Sequence, residues 1–203
     1  MLKALRPGIT RVATPVAERL LRVGVTPDVV TVVGTIGVAV GSLGFLSRGM
    51  FLTGSLVAVL SVFTDMLDGT MARLRGGTSR FGAWLDSTCD RVADAAVFCA
   101  LAWWYTGAGD DRLAAAVALY CLVSGVVVSY EKARAEGLGM RCDVGIAERA
   151  ERLVIVFVGT SLLGLGAPDV VLVVLLWVLA VVTTVTVAQR AVEVRRQAAA
   201  LAA

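Results

Sequence analysis

The chain contains no histidine, and its four cysteines are scattered without any C-x-x-C pair. Zinc and other soft metals are held in proteins mainly by histidine and cysteine, so the composition argues against a site for such a metal. The cysteine spacing does not indicate a disulfide framework either. Three of the four cysteines lie in apolar segments, where they are expected to act as small packing residues.

Charged residues are also scarce, at 17% of a 203-residue chain that is 58% hydrophobic. The mean hydropathy of +0.82 is too high for an ordinary soluble domain and indicates an integral membrane protein. The net charge of +3 gives no argument for a nucleic-acid partner. No internal repeat, low-complexity tract or linker is visible, so residues 1–203 are expected to form a single membrane domain.

Long apolar runs predict an all-α integral membrane protein with six transmembrane helices in residues 26–190 and a cytoplasmic tail in residues 191–203. The expected spans are residues 29–46, 51–71, 80–104, 113–130, 153–165 and 170–188. The fifth run is short, so its helix is expected to begin within the polar stretch before Leu153. In the first span, Gly37 and Gly41 form a small-xxx-small face, which is typical of close packing within a helix bundle.

The N-terminal segment, residues 1–25, has a different pattern, because basic and apolar side chains alternate along residues 2–24. This pattern predicts one or two amphipathic helices in the membrane interface, although a helix packed on the protein body has the same pattern. Six spans put both termini on one side, where all of the 19 basic residues fall except Arg48, Arg91 and Arg112. The positive-inside rule then predicts a multi-pass protein of the cell (plasma) membrane with both termini cytoplasmic.

Two pairs of aspartates interrupt the apolar pattern on the expected cytoplasmic side. Asp65 and Asp68 are spaced i,i+3 at the end of the second span, and Asp86 and Asp90 are spaced i,i+4 near the start of the third. A carboxylate within a membrane costs roughly 3 kcal/mol on insertion scales, so four of them require partners. Two antiparallel helices joined by the intervening Gly- and Arg-rich loop would allow the pairs to face each other.

Convergent carboxylates suit hard divalent cations such as Mg²⁺, Mn²⁺ or Ca²⁺, and two such ions close together suit phosphoryl chemistry. Helix capping explains single aspartates, but not two helically spaced pairs with glycine and arginine between them. Gly69 directly after Asp68 leaves room for a ligand to approach the backbone. Arg73, one turn further on, is suited to a phosphate oxygen, or alternatively to anchoring the helix at the interface.

The stretch from Asp65 to Asp90 fills every fixed position of the pattern D-x2-D-G-x2-A-R-x8-G-x3-D-x3-D and so resembles the signature of the CDP-alcohol phosphotransferase family. Members of that family join a CDP-linked lipid or alcohol to a second alcohol and release CMP. The resemblance implies a homodimer with two Mg²⁺ or Mn²⁺ ions and CDP-diacylglycerol as donor. It implies that the metals are bound by Asp65, Asp68, Asp86 and Asp90, and that Asp90 also accepts the proton of the attacking hydroxyl. It further implies that the CDP group is contacted by Gly69, Arg73 and Ser79. A weaker match adds Asp28, Val29, Val30 and Thr31 to the residues that contact the CDP group.

The acceptor is suggested by three other segments, residues 21–34, 129–136 and 148–153. They resemble the actinobacterial and archaeal branch of that family, whose members use inositol 1-phosphate. An acceptor phosphate needs cations beyond the metals, and the candidates are Lys132, Arg134, Arg152 and Arg190, which otherwise count only as positive-inside charges.

Two alternative functions are also consistent with the sequence. A glycerol 3-phosphate acceptor would make the chain a phosphatidylglycerol phosphate synthase, and the segment after the fourth span argues against it. A cation transporter would use the four aspartates as an ion path. Transport predicts acidic groups at mid-membrane on several helices, whereas the apolar cores of the first, fourth and sixth spans contain none.

Overall fold

A computed structural model describes residues 6–201 of the chain and the side chains of residues 14–64 and 67–201. This part of the chain is helical and contains no strand. The helices are α1 (Arg6–Arg22), α2 (Pro27–Ala39), α3 (Phe51–Leu74), α4 (Arg80–Thr106), α5 (Arg112–Gly137), α6 (Arg149–Gly164) and α7 (Val170–Leu201). A π-helical turn, Val40–Phe45, and a 3-10 turn, Leu46–Arg48, continue α2.

Four helical segments of the described chain are long and apolar enough to cross a membrane. They are Pro27–Arg48, Phe51–Leu74, Arg112–Gly137 and Val170–Leu201. The prediction of an all-α membrane protein is confirmed at this level. Of the other two predicted spans, α4 carries Asp86, Asp90, Arg91 and Asp94 within its first 15 residues, and α6 has only 16 residues.

The helix boundaries agree with the expected spans to within a few residues, except at the two ends of the chain and at α5, which continues seven residues past its expected end into the polar stretch, to Gly137. α6 begins at Arg149, within the polar stretch, as its short apolar run predicted. α7 continues without a break to Leu201, so most of the expected tail is helix. The predicted N-terminal amphipathic segment forms one helix, α1, which packs against α3, while residues 2–5 lie outside the described part.

The six helices after α1 form a closed ring. α2 packs against α3 and α4, α3 against α6, α6 against α7, α7 against α5, and α5 against α4. The order around the ring is therefore α2, α3, α6, α7, α5, α4, with α4 and α6 on opposite sides. Buried apolar side chains such as Phe98, Leu101, Val156 and Leu176 fill the ring.

Glycines on α2 and on the π-helical turn that continues it bring this segment close to α3. A Cβ atom on Gly41 would lie 2.9 Å from the backbone nitrogen of Ala58 and 3.0 Å from the carbonyl oxygen of Gly54. Cβ atoms on Gly34 and Gly37 would collide with the hydroxyls of Thr64 and Ser61, respectively. The predicted small-residue face therefore packs within the bundle, and it holds the start of α2 beside the end of α3.

Candidate active site

The first turns of α2 contact both halves of the aspartate motif. Thr31 donates its hydroxyl to Asp68 Oδ2 on α3 at 2.5 Å, and both side chains are buried, with 6% and 7% of their surface exposed. On the other side, Asp28 Oδ1 would lie 3.2 Å from a Cβ atom on Gly82, in the first turn of α4. The start of α2 therefore lies between the two motif helices.

Because α2 lies between α3 and α4, the two aspartate pairs are arranged differently from the direct facing expected from the sequence. α3 and α4 follow each other in the chain, but in the described structure both pack against α2 and hardly touch each other. Asp68 is buried, Asp90 is half-buried and Asp86 is exposed, while the side chain of Asp65 lies outside the described residues. Spacing along each helix does not reveal that a third helix enters between the pairs.

A divalent metal fits the chemistry of this donor set, because carboxylate oxygens are the ligands that Mg²⁺ and Mn²⁺ prefer. Among the side chains that the structure describes, no group of three Asp, Glu, Cys or His residues lies close enough together to hold a metal. Asp65 is not among those side chains. The metal-binding role of Asp65, Asp68, Asp86 and Asp90 therefore stays a prediction.

The residues predicted to contact the CDP group differ in their surroundings. A Cβ atom on Gly69 would meet only Arg73 Nη1, at 3.7 Å, so the space beside this turn of α3 is open. The exposed Arg73 donates from Nη2 to Thr70 Oγ1 at 2.9 Å. Ser79 caps α4 and accepts a hydrogen bond from the Gly82 backbone nitrogen at 2.9 Å. Gly69 and Arg73 thus border a space that a ligand can enter.

Two valines of the same predicted set differ in burial. Val29 is exposed, whereas Val30 is buried with Ala17 of α1 and Met71 of α3. Val30 therefore packs α2 against its neighbours. Only its backbone is suited to contact a nucleotide.

A cluster of charged side chains spans the ring from α4 to α6. Arg149 Nη1 lies 2.7 Å from Asp90 Oδ1, and Arg149 Nε lies 3.1 Å from Asp94 Oδ1. Arg152 Nη2 lies 3.3 Å from Asp94 Oδ2. Arg91 also approaches both aspartates, at 3.4 Å from Asp90 Oδ2 and 3.9 Å from Asp94 Oδ2. Because α4 and α6 are on opposite sides of the ring, long arginine side chains are needed to connect them.

Asp94 and Arg149 were not among the residues singled out from the sequence. Each had a recognisable signal: Asp94 follows Asp90 by four residues on the same helix, and Arg149 precedes Arg152 by three. Asp94 is only 3% exposed and Arg152 only 1%. Buried charges of this kind are retained when they are paired, as these are.

Three of the four predicted acceptor-binding cations gather near the segment 138–148 that connects α5 to α6. Lys132 Nζ lies 2.6 Å from Asp143 Oδ1, and this contact holds the pKa of the Asp143 carboxyl below its usual value. Arg152 Nη1 donates to the carbonyl of Ala147 at 3.4 Å. The buried Arg190 donates from Nε to the carbonyl of Val144 at 2.9 Å and from Nη1 to that of Val128.

The fourth predicted cation, Arg134, is set apart from the other three. It is exposed and lies two residues after Lys132 on α5. Residues at i and i+2 do not share a helix face. Its side chain therefore leaves α5 in a different direction from that of Lys132.

Comparison with known proteins adds to this geometry. The family model described as CDP-alcohol phosphatidyltransferase matches residues 24–186, which is most of the chain. The chain belongs to the CDP-alcohol phosphatidyltransferase family. The match confirms the resemblance drawn from the motif, and it includes α2 to α6 and the first half of α7.

Members of this family that resemble the chain are named as phosphatidylinositol phosphate synthases. The one from Streptomyces avermitilis is 52% identical over 203 residues, covering 97% of this chain and 83% of the relative. The one from Mycobacterium tuberculosis strain H37Rv is 47% identical over 192 residues, covering 91% of this chain and 86% of the relative.

Solved structures of family members agree with the fold. The crystal structure of Mycobacterium tuberculosis phosphatidylinositol phosphate synthase with CDP-DAG bound matches with a TM-score of 0.87 at 47% identity, covering 91% of this chain and 94% of that chain. The structure of the same enzyme in complex with manganese and citrate matches with a TM-score of 0.86, covering 90% and 88%.

Proposed function

We propose that this protein transfers the phosphatidyl group of CDP-diacylglycerol to inositol 1-phosphate, giving phosphatidylinositol phosphate and CMP. The observation that carries the proposal is the contact of α2 with both halves of the complete family motif, at the end of the bundle that also contains Lys132, Arg152 and Arg190. Synthases of this name that are 41–52% identical to the chain support the same reaction.

The donor is bound, in this proposal, at the open space beside Gly69. Arg73 provides a guanidinium for a phosphate oxygen there, and the start of α2 (Asp28, Val29, Val30 and Thr31) contacts the nucleotide. Ser79 contributes from the cap of α4. Thr31 orients Asp68 through the 2.5 Å hydrogen bond, which fixes one carboxylate of the motif relative to α2.

The acceptor is bound through its phosphate by Lys132, Arg152 and Arg190, with Arg134 as a more distant candidate. A hydroxyl oxygen of the inositol ring attacks the phosphorus that carries the diacylglycerol group. The bond from that phosphorus to the oxygen of CMP breaks, and CMP leaves. Asp90 accepts the proton of the attacking hydroxyl as a general base.

Asp65, Asp68, Asp86 and Asp90 are the proposed ligands of two divalent cations, Mg²⁺ or Mn²⁺. When bound, such ions neutralise the pyrophosphate and stabilise the departing CMP. A manganese complex of a 47% identical family member is consistent with this donor set. The oxygen-only chemistry of the four side chains and the absence of histidine from the chain favour these metals over softer ones.

The proposal also includes the arrangement in the membrane. α4 and α6 cross the membrane with the four apolar segments, which gives six spans after an interfacial α1. Both termini and the active site face the cytoplasm across the cell (plasma) membrane, and the protein acts as a homodimer. The distribution of basic residues supports this orientation.

The test is a CMP-release assay on purified protein in detergent or lipid nanodiscs. CDP-diacylglycerol is supplied with inositol 1-phosphate, free inositol or glycerol 3-phosphate as acceptor. We expect turnover with inositol 1-phosphate and little with the other two. Preference for glycerol 3-phosphate would replace the proposed acceptor, and no CMP release with any acceptor would contradict the transfer reaction.

The same assay tests the metal. EDTA is expected to abolish CMP release, and added Mg²⁺ or Mn²⁺ to restore it. Asp68→Asn keeps the size of the side chain and should lower turnover to background even with metal present. Full activity in EDTA would show that the aspartates have another role.

A further inference from the structure

Asp94 lies at the centre of the charged cluster that connects α4 to α6. Its two carboxylate oxygens contact different arginines: Oδ1 is 3.1 Å from Arg149 Nε, and Oδ2 is 3.3 Å from Arg152 Nη2. Asp94 is almost fully buried, so solvent screens these contacts little. One carboxylate therefore sets the positions of two guanidinium groups.

The two arginines extend toward different parts of the proposed site. Arg149 continues to Asp90, the proposed base, with 2.7 Å between Nη1 and Oδ1. Arg152 continues toward α5, where a Cβ atom on Gly125 would lie 3.2 Å from its Nε. Arg152 is also one of the cations proposed to bind the acceptor phosphate. Asp94 thus connects the proposed base, Asp90, to a side chain that is proposed to bind the phosphate of the acceptor.

We propose that Asp94 is a positioning residue for the transfer reaction, holding Arg149 against Asp90 and Arg152 toward the acceptor phosphate so that hydroxyl and phosphate of one acceptor molecule are aligned. This inference rests on the proposed function. Asp94 itself touches neither substrate and acts through the two arginines. Small errors in alignment are costly in catalysis, since a displacement of about 1 Å can reduce rates by about 10²-fold.

The first test compares Asp94→Asn with Asp94→Glu in steady-state kinetics, with both substrates varied. Asn has the same shape but no charge, so it cannot hold both guanidinium groups as a carboxylate does. We expect the acceptor KM of Asp94→Asn to rise at least about tenfold and kcat to fall about tenfold, while the CDP-diacylglycerol KM changes less than about threefold. Asp94→Glu restores the charge and should recover part of both losses.

A matched control is available at the other end of the bundle. Asp169 also accepts a hydrogen bond from a buried side chain, with 3.0 Å between its Oδ1 and the Tyr105 hydroxyl. Asp169→Asn makes the same chemical change far from the charged cluster. It should leave both KM values and kcat within about twofold of the wild type.

Gly125→Ala tests the position of Arg152 without removing a charge. The added methyl group presses on the guanidinium from α5, and alanine is a better helix former than glycine, so the protein should still fold. We expect a rise in the acceptor KM alone. This variant also keeps the proposal testable if Asp94→Asn does not insert into the membrane.

Binding without turnover gives a second readout. Inositol 1-phosphate is titrated into metal-free protein by calorimetry, and its affinity should fall about tenfold in Asp94→Asn and stay unchanged in Asp169→Asn. Wild-type acceptor KM, kcat and affinity in Asp94→Asn would overturn the proposal. So would equal increases in both KM values, or lower thermal stability with unchanged kinetics, because either result indicates a structural role only.

These results are distinguishable from failure of the proposed function. Each variant is compared with the wild type in assays that use the acceptor preferred by the wild type, whether inositol 1-phosphate or glycerol 3-phosphate. A wrong acceptor assignment would change that substrate, but the ratio of Asp94→Asn to wild type would still decide the role of Asp94.

Discussion

Thr31 donates its hydroxyl to a buried carboxylate on the neighbouring helix, and this contact orients one of the proposed metal ligands. Thr31→Val keeps the shape of the side chain but removes the donor. Loss of a donor to a buried acceptor costs about 1–3 kcal/mol. We therefore expect kcat/KM for CDP-diacylglycerol to fall roughly 5- to 150-fold in a CMP-release assay.

Two other variants isolate that effect. Thr31→Ser keeps the hydroxyl and should stay within a few fold of the wild type. Thr35→Val removes a hydroxyl that donates only within α2, to the carbonyl of Thr31 at 2.9 Å, and should change kcat/KM little. If Thr31→Val behaves like Thr35→Val, the hydrogen bond to Asp68 has no role in donor binding or transfer.

Lys132 and Arg134 provide a second comparison between single residues, because they are close in sequence but on different faces of α5. A charge-assisted hydrogen bond to the acceptor phosphate is worth about 1.5–3 kcal/mol, so Lys132→Ala should raise the inositol 1-phosphate KM roughly 10- to 100-fold. Arg134→Ala should raise it less than about threefold. Steady-state kinetics with the acceptor varied measures both.

Lys132 also forms an ion pair with Asp143, so Lys132→Ala removes this ion pair as well as the cation proposed to bind the acceptor. The two effects must be measured separately. Asp143→Asn removes the 2.6 Å ion pair while leaving the lysine in place. Its acceptor KM should stay within about threefold of the wild type, since exposed ion pairs contribute little. Equal effects of Lys132→Ala and Asp143→Asn would mean that the ion pair, rather than the cation, matters.

Candidate site residues are easier to select from the sequence than their contact partners. Spacing alone makes Asp68 and Asp90 candidate metal ligands, a role that stays a prediction. Thr31, which donates to Asp68, is 37 residues away, and Arg149, which makes the 2.7 Å contact with Asp90, is 59 residues away. No local pattern predicts which faces of two distant helices meet. Arg134 is different: the sequence prediction grouped it with Lys132, although helix geometry alone places residues at i and i+2 on different faces.

At the level of helices, close packing of α2 on α3 depends on glycine. Gly41→Ala places a methyl group 2.9 Å from a backbone nitrogen of α3, which a side-chain rearrangement cannot relieve. Overpacking of this kind costs about 1–3 kcal/mol. Thermal unfolding in detergent should show a melting temperature roughly 2–10 °C lower than that of the wild type.

Gly44 is the matched control for this substitution. It lies three residues further along the same segment, and the nearest atom to a Cβ there is 3.9 Å away. Gly44→Ala should leave the melting temperature unchanged or raise it slightly, because alanine favours helix by about 1 kcal/mol. If both variants melt alike, close packing at Gly41 does not contribute to stability.

The presence of each helix was predictable from the sequence, because a long apolar run in a membrane protein can adopt few structures other than a helix. The residues at which the helices end were less predictable. The α6 start was anticipated from length, since 13 apolar residues are too few to cross a membrane. The α7 end was not, because residues 191–201 are rich in alanine and charge, which suits a helix extending into water as well as an unstructured tail.

Across the whole molecule, the ring of helices explains why the charged cluster and the motif lie together. Sequence spacing predicted six helices but not their order, because which helices are neighbours depends on packing surfaces from distant segments. Within the closed order α2, α3, α6, α7, α5, α4, Asp94 of α4 and Arg152 of α6 are buried. Interior charges can then be paired rather than exposed to lipid.

Whether α4 crosses the membrane tests the six-span arrangement, which requires both α4 and α6 to cross in addition to the four apolar segments. α4 has 27 residues and is about 40 Å long, enough to cross, and its charges are confined to its first 15 residues. If α4 crosses, Thr78 before it and Ala108 after it lie on opposite sides. If it does not, both lie on the same side.

Single cysteines at these two exposed positions, in a variant whose four native cysteines are replaced by alanine, allow labelling of intact cells with a membrane-impermeant maleimide. Ala108→Cys should react in intact cells, whereas Thr78→Cys should react only after the membrane is permeabilised. CMP release by each variant checks that the active fold is retained. Labelling of both positions from the same side would exclude the six-span arrangement and place α4 within one leaflet, with its aspartates reached from the surface.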